Sequence, residues 1–351
     1  MMSSTLSLSG ISKSFGGTLV LNNLNLDVAA GEFVSILGSS GSGKTTALRL
    51  IAGFDGPDEG EISIGDRVVA RSAGGKRSVF ISPELRRVGF VPQDSALFPH
   101  LSVAENVGFG LQGLSKVARV ARIAQVLALV QMKDFGDRMP EQLSGGQRHR
   151  VALARALAPE PALVLLDEPF AALDPELKAQ VRDEMRRALD LSGSTTILVT
   201  HDQEEALSIA DRVAVLREGS FAQIGEPREI YAAPNDIALA TFLGDSVIID
   251  GRVVGDKVET VLGALTPLNN ATDGASGKVA IRPENFYLQP NATGPGLVVG
   301  RQFFGHDAMV EVEIHGIKIQ ARANGPFAPE VGMRMTVWVR GAVNFYADEA
   351  N

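Results

Sequence analysis

The chain has two rhythms. From residue 32 to about residue 242, short aliphatic runs alternate with amphipathic stretches. Beyond that, glycine, proline and asparagine punctuate short runs in which apolar and polar residues take turns. The first rhythm predicts strands at 32–37 (EFVSIL), 61–64, 88–91, 162–166, 195–199 and 213–216. It predicts helices over 45–52, 116–130, 176–191 and 202–210. The first helix closes on Gly53, and the last opens with an acidic turn, as helix ends favour. Such alternation argues for an α/β domain over 1–242. In the second rhythm Val310, Val312 and Ile314 alternate with Glu311, Glu313 and His315. After Gly316, Ile317 and Ile319 alternate with Lys318 and Gln320, which predicts a hairpin with one buried face. Met335, Val337 and Val339 alternate with Thr336, Trp338 and Arg340. Residues 243–351 therefore read as a small all-β domain, a barrel, with loops at 269–277 and 291–296.

Composition narrows the class of function. The 351 residues are 45% hydrophobic and 21% charged, enough for two packed cores. A net charge of -8 disfavours a nucleic-acid partner, because phosphate backbones call for an excess of Lys and Arg. The absence of cysteine excludes disulfides, thiolate metal sites and cysteine nucleophiles. The opening MMSSTLSLSG has no basic stretch followed by an apolar block, so no signal peptide is expected. No apolar run is long enough to cross a bilayer, so service at a membrane requires docking onto something already there.

The sharpest chemical signal is Gly38-Ser39-Ser40-Gly41-Ser42-Gly43-Lys44-Thr45, which fits G-x-x-x-x-G-K-[ST]. Small residues let backbone N–H groups converge on phosphates, and the following helix adds its positive end. Lys44 supplies a point charge for the β- and γ-phosphates, and the Thr45 hydroxyl can ligate Mg²⁺. The alternative, a glycine-rich turn with an incidental lysine, is disfavoured by the strand before it and the helix after it. A second signal is the apolar strand that ends in Asp167 and Glu168. Strand ends of this kind face the ligand crevice in open α/β sheets. Asp167 is then placed to hold Mg²⁺, through water, and Glu168 to act as general base. His201 lies between a core strand and a helix start. From spacing alone, a structural role and a γ-phosphate contact are equally open.

Leu143-Ser144-Gly145-Gly146-Gln147, followed by Arg150-Val151-Ala152-Leu153-Ala154-Arg155-Ala156-Leu157, resembles the signature motif and helix of ABC ATPases. As physics it is a small-residue loop at a helix N-terminus, a second place for an anion; the alternative is a Ser/Gly helix cap. The order phosphate loop, Gln93, LSGGQ, Asp167-Glu168, Ala172-Leu173-Asp174 and His201 resembles that family's order throughout. The resemblance implies an α/β P-loop NTPase with a helical signature subdomain, followed by an OB-like barrel. It implies an ATPase using ATP and Mg²⁺, with residues 38–46, including Thr46, around the phosphates. Phe15 sits where the family stacks an aromatic on adenine, although a core phenylalanine is the alternative. Gln93 matches the residue that senses Mg²⁺ and the attacking water, and His201 matches the γ-phosphate contact. The resemblance further implies a homodimer in which Ser144, Gly145, Gly146 and Gln147 of one copy complete the other's site, with Asp174 in the crossing loop.

The same resemblance implies partners. Residues 94–110 match the region that receives a coupling helix from a membrane subunit. There Leu97, Phe98 and Leu101 form either a docking cluster or part of the subdomain's own core. Residues 135–142 lack the TEVGE-like pattern of many exporters, which favours an importer. Ile281-Arg282-Pro283-Glu284 resembles a segment of the C-terminal domain of importers for sugars, polyamines, sulfate and ferric iron. The Gly244-Asp245-Ser246-Val247 approach and short tail look most like the ferric-iron ATPases. The implied partners are two permease subunits and, through them, an extracytoplasmic solute-binding protein, with no nucleic acid. The implied place is the cytoplasmic face of the inner membrane. His306, Asp307 and His315 of the tail form no convincing iron-ligand set and read as a solvated hairpin face.

Overall fold

The computed structural model describes residues 5–171, 173–269 and 271–348. The chain divides into two compact units between Ile230 and Tyr231. The first contains β1 (Leu6–Phe15), β2 (Thr18–Val28), β3 (Phe33–Leu37), α1 (Lys44–Ala52), β4 (Glu59–Ile64), β5 (Arg67–Ala73), β6 (Lys76–Phe80) and β7 (Val88–Val91). It continues through α2 (Val103–Gly108), α3 (Lys116–Leu129), α4 (Gly145–Leu157), β8 (Leu163–Asp167), α5 (Pro175–Ser192), β9 (Thr195–Thr200), α6 (Gln203–Ile209), β10 (Arg212–Arg217) and β11 (Ser220–Gly225). Helix α7 (Pro227–Ala232) carries the junction.

The unbroken aliphatic runs explain the central sheet, whose order is β11-β10-β3-β9-β8-β7. β7, β8, β9, β3 and β10 are parallel neighbours, and β3 and β9 are buried at every position. That burial requires cover on both faces. Along β8, Leu163 and Leu165 join a core with α1 and the N-terminal strands. Val164 and Leu166 join an opposite core with residues of α3, α4 and α5.

A second sheet, β2-β1-β4-β5-β6, is antiparallel and was not among the predicted elements, apart from the segment that became β4. The reason is local. Leu6 and Leu8 alternate inward, but the pairing with β2 slips three times before Ser14, and Gly10 adopts a left-handed φ of 63°. Each slip shifts the period-two pattern, so no clean alternation survives.

The second unit contains α8 (Ile237–Phe242) and ten strands: β12 (Val247–Val254), β13 (Lys257–Thr260), β14 (Gly263–Leu265), β15 (Ser276–Ile281), β16 (Phe286–Pro290), β17 (Gly296–Phe303), β18 (Asp307–Ile314), β19 (Ile317–Asn324), β20 (Arg334–Val339) and β21 (Asn344–Ala347). They form two five-stranded antiparallel sheets, β14-β13-β12-β15-β21 and β16-β20-β17-β18-β19, around one apolar core. This is the OB-like all-β unit. The expected hairpin is β18–β19: Ile314 pairs Ile317 and Val312 pairs Ile319, across a His315-Gly316 turn with positive φ at both residues. Composition changes after Phe242, yet α8 belongs to the second unit. The buried Arg282 guanidinium donates to the carbonyls of Ala240 and Gly244 at 2.8 Å each, drawing α8 into that core.

Candidate active site

The parallel strands end together. β3 runs into the loop 38–43, β9 ends at Thr200 just before His201, β8 ends in Asp167, and β7 stops two residues short of Gln93. Because β3, β9, β8 and β7 are hydrogen-bonded neighbours in that order, the four exits lie side by side at one sheet edge.

The loop is shaped by its glycines. Gly43 has φ 105°, and a Cβ there would come within 2.6 Å of Leu21 Cδ2; one on Gly38 would meet the Leu216 carbonyl at 2.5 Å. Gly41, with φ 81°, meets nothing and is needed only for its dihedral. Ser39, Ser40, Gly41 and Thr45 are exposed, Thr46 is half-buried, and Ser42 is buried with its hydroxyl unpaired. The Lys44 ammonium donates to the carbonyls of Gly38 and Ser39 at 2.8 Å each. Burial lowers its pKa, while Glu168 and Asp167 pull the other way.

The carboxylates stand opposite. Thr45 Oγ1 lies 3.5 Å from Asp167 Oδ1. Burial pushes the Asp167 pKa up, and the neighbouring Glu168 charge adds to it. Hydroxyl and carboxylate oxygens in contact are the hard donors Mg²⁺ takes, and a carboxylate crowded by a second one gains from a cation. Glu168 holds a left-handed φ of 43°, costly for a residue with a side chain and common at functional positions. Its Oε2 is 2.9 Å from His201 Nδ1. His201 therefore sits against the carboxylate, not in the core, and its side chain is half exposed.

The remaining candidates are distributed around this edge or away from it. Gln93 is exposed beyond β7. Phe15 ends β1 and is 47% exposed, which removes the core alternative. Lys13 Nζ lies 5.2 Å from the Phe15 ring centroid and is itself held by Asp58 at 3.1 Å. Burial raises the Asp58 pKa, but the Ser14 N–H and Lys13 outweigh it and hold the carboxyl low. This Lys13-Asp58 clamp behind Phe15 was not anticipated; its halves are 45 residues apart and belong to no motif.

The LSGGQ segment caps α4. Ser144 Oγ accepts from the Gln147 N–H, and Gln147 Oε1 accepts from the Ser144 N–H, a reciprocal capping box. Gly146 is buried, and a Cβ there would strike Val181 of α5 at 2.9 Å. Gly145 is half-buried and faces Leu173. Among the described residues, no hydrogen bond joins the segment 144–147 to the loop 38–45 of the same chain. Asp174 is the exposed N-cap residue of α5, and its side chain makes no capping bond. Ala172 lies outside the described residues.

Known proteins resemble this chain in sequence and fold. The ABC transporter family matches residues 21–171, and the TOBE domain family matches residues 279–344. The "Fe(3+) ions import ATP-binding protein FbpC 1" of Rhodococcus jostii (strain RHA1) is 46% identical over 316 residues, 90% of this chain and 89% of that protein. A "Sulfate/thiosulfate import ATP-binding protein CysA" of Caulobacter vibrioides is 44% identical over 291 residues, 81% of this chain and 82% of that protein. Among solved structures, the dimeric post-hydrolysis ATP-binding cassette MJ0796, bound to ADP and Pi, is 33% identical with a TM-score of 0.52. It is covered over 99% of its length by 64% of this chain. With the phosphate loop, strand-end carboxylates, capped LSGGQ helix and all-β tail of this chain in place, and a relative 46% identical over 90% of it, the chain belongs to the ATP-binding proteins of ABC transporters, a cassette ATPase followed by a TOBE domain.

Proposed function

We propose that this chain hydrolyses MgATP to drive uptake of ferric iron, working as one of two paired copies beneath two permease subunits at the cytoplasmic face of the membrane. The observation that carries the chemistry is the pair of contacts Thr45–Asp167 and Glu168–His201, which brings phosphate loop, carboxylates and histidine to one edge.

The N–H groups of the loop and the positive end of α1 hold the β- and γ-phosphates. Lys44, already seated among that loop's carbonyls, adds its charge. Glu168 accepts a proton from water as the water oxygen bonds to the γ-phosphorus. The bond from that phosphorus to the bridging oxygen breaks, leaving ADP and phosphate. Glu168 holds His201 by Nδ1, so the other ring nitrogen serves the γ-phosphate. Gln93 orients the water from the neighbouring strand end. The Thr45 hydroxyl and the Asp167 carboxylate would hold Mg²⁺, which when bound offsets phosphate charge. Phe15 stacks on the adenine. Ser144, Gly145, Gly146 and Gln147 of the second copy close the site in trans, with Asp174 at the crossing.

Iron as cargo is supported by the relative from Rhodococcus jostii, named for Fe(3+) import; sulfate is the second reading, supported by the relative from Caulobacter vibrioides. An extracytoplasmic binding protein selects the solute. Two measurements test this. Purified chain with magnesium should release phosphate from ATP, and no binding or hydrolysis, alone or with its permease, ends the enzymatic reading. A deletion strain should lose uptake of ferric iron and keep uptake of sulfate; the reverse pattern replaces the cargo.

A further inference from the structure

Helix α5 carries a cationic stripe. Lys178, Arg182 and Arg186 follow at one-turn intervals and so share a face. Each reaches the segment after His201: Lys178 to Asp202 and Glu205, Arg182 to Glu204 at 3.1 Å, Arg186 to Asp211 at 2.9 Å. Elsewhere on α5, Leu177 and Val181 pack on Gly146, and Glu184 pairs Arg150 of α4 at 3.1 Å.

Lys178 stands apart because its bonds close a ring around His201. Lys178 Nζ donates to Asp202 Oδ2 at 2.5 Å and to Glu205 Oε1 at 2.7 Å. Thr200 Oγ1 donates to the other Glu205 oxygen and accepts from the Asp202 N–H at 3.0 Å. Thr200 and Asp202 are the immediate neighbours of His201. Glu205 is only 2% exposed, and among the described residues Lys178 is its one ion-pair partner. A buried carboxylate deprived of its cation must take up a proton or rearrange its surroundings.

We propose that Lys178 is a positioning residue for ATP hydrolysis: by clamping Asp202 and Glu205 it fixes the turn 200–202 and so aims His201 at the γ-phosphate. The inference rests on the reading of His201 as that phosphate's contact. It gives α5, which is preceded by its N-cap Asp174 and packs on the LSGGQ helix, a direct hold on the histidine of its own chain. Displacing a contact group by an ångström costs on the order of 100-fold in rate, so the clamp controls turnover without touching nucleotide.

The test uses the full chain with Lys178→Met, Lys178→Arg, His201→Ala and the Lys178→Met/His201→Ala pair. ATPase kinetics are read beside binding of a fluorescent ATP analogue. Lys178→Met should lower kcat about 10- to 100-fold while the analogue's Kd stays within about twofold. Lys178→Arg should recover most of the rate. The double variant should be no slower than His201→Ala alone, because both act through one group. Losses that multiply, an unchanged kcat, or a loss confined to KM would overturn the proposal. If His201→Ala alone leaves turnover intact, the phosphate-contact reading beneath it is what fails. Should Lys178→Met not fold, Lys178→Met/Glu205→Gln removes the buried Glu205 charge together with its partner. It should fold and remain slow, since Asp202 is still unclamped; wild-type turnover there overturns the clamp.

Discussion

Both units of this chain set buried guanidinium groups against backbone carbonyls, Arg86 and Arg122 in the cassette and Arg282 in the tail, but among the described residues only the cassette also buries charge among charged partners near its strand ends. In the cassette, Lys44 and Glu205 are buried, and each has charged neighbours: Lys44 feels Asp167 and Glu168, and Glu205 meets Lys178. In the tail, Arg282 is the one buried charged side chain among the described residues, and its guanidinium bonds carbonyls and the Ser246 hydroxyl. Strand geometry makes the difference. Parallel strands deliver their ends to one edge, so residues far apart in sequence converge there. Antiparallel alternation spreads polar residues along open faces instead: in β18, Val310 and Val312 are buried while Glu311 and Glu313 face outward. Among the described residues, no group of three or more His, Asp or Glu side chains is placed to hold a metal. Both units have arginines that hold backbone; the cassette adds a charged edge that can act on a ligand.

The sharpest way to break this contrast is at Glu168. Glu168→Gln keeps the shape and removes the proton acceptor. Phosphate release should fall about 10²- to 10⁴-fold with ATP binding kept. With ATP present the variant should run as a dimer on gel filtration, because the second copy closes over the bound ATP and does not release it. Turnover close to wild type would remove Glu168 from the chemistry.

A smaller effect, in the other unit, is expected from Arg282→Met. It strands the carbonyls of Tyr231, Ala240, Gly244 and Asp245, all now bonded to the guanidinium. Losing these bonds, one of them to the buried Ala240 and the rest to part-buried carbonyls, should cost the tail about 2–3 kcal/mol. Chemical denaturation should show one transition moving and one staying. The kcat should hold within about twofold, since the Arg282 guanidinium bonds only groups of its own unit among the described residues. A folded variant with collapsed ATPase activity would show that the tail's buried charge serves catalysis after all.

What could be read in advance follows the same division. The phosphate loop, strand-end carboxylates and LSGGQ segment are contiguous strings, each bound to a recognisable strand or helix. Phe15 was open between core and ligand, because a single aromatic carries no pattern; its exposure settled the core alternative. The Lys13-Asp58 and Lys178-Glu205 pairs had no signal at all, since each joins separate elements through the tertiary fold. The N-terminal sheet was missed because its register slips break alternation. The β18–β19 hairpin was visible because its register is regular from end to end.

The finest test compares two aromatics of nearly equal exposure, Phe15 at 47% and Trp338 at 46%. Each belongs to a similar cluster. Lys13 lies 5.2 Å from the Phe15 centroid, while Trp338 stacks on Tyr287, which carries Arg340 at 4.3 Å. Local chemistry alone would make both rings equally good platforms for a base. Only Phe15 lies in the unit that bears a phosphate loop, and β2, its hairpin partner, supplies the Leu21 that packs on Gly43. Phe15→Ala should therefore weaken ATP binding by about 0.5–1.5 kcal/mol, or about two- to twelvefold in Kd, with kcat at saturation unchanged. Thermal stability should barely move, because half the ring is already in water. Trp338→Ala should leave ATP affinity where it is. Equal losses from the two substitutions would mean that exposure and a nearby cation suffice. A loss at Phe15 alone means that the aromatic binds by virtue of the unit it belongs to.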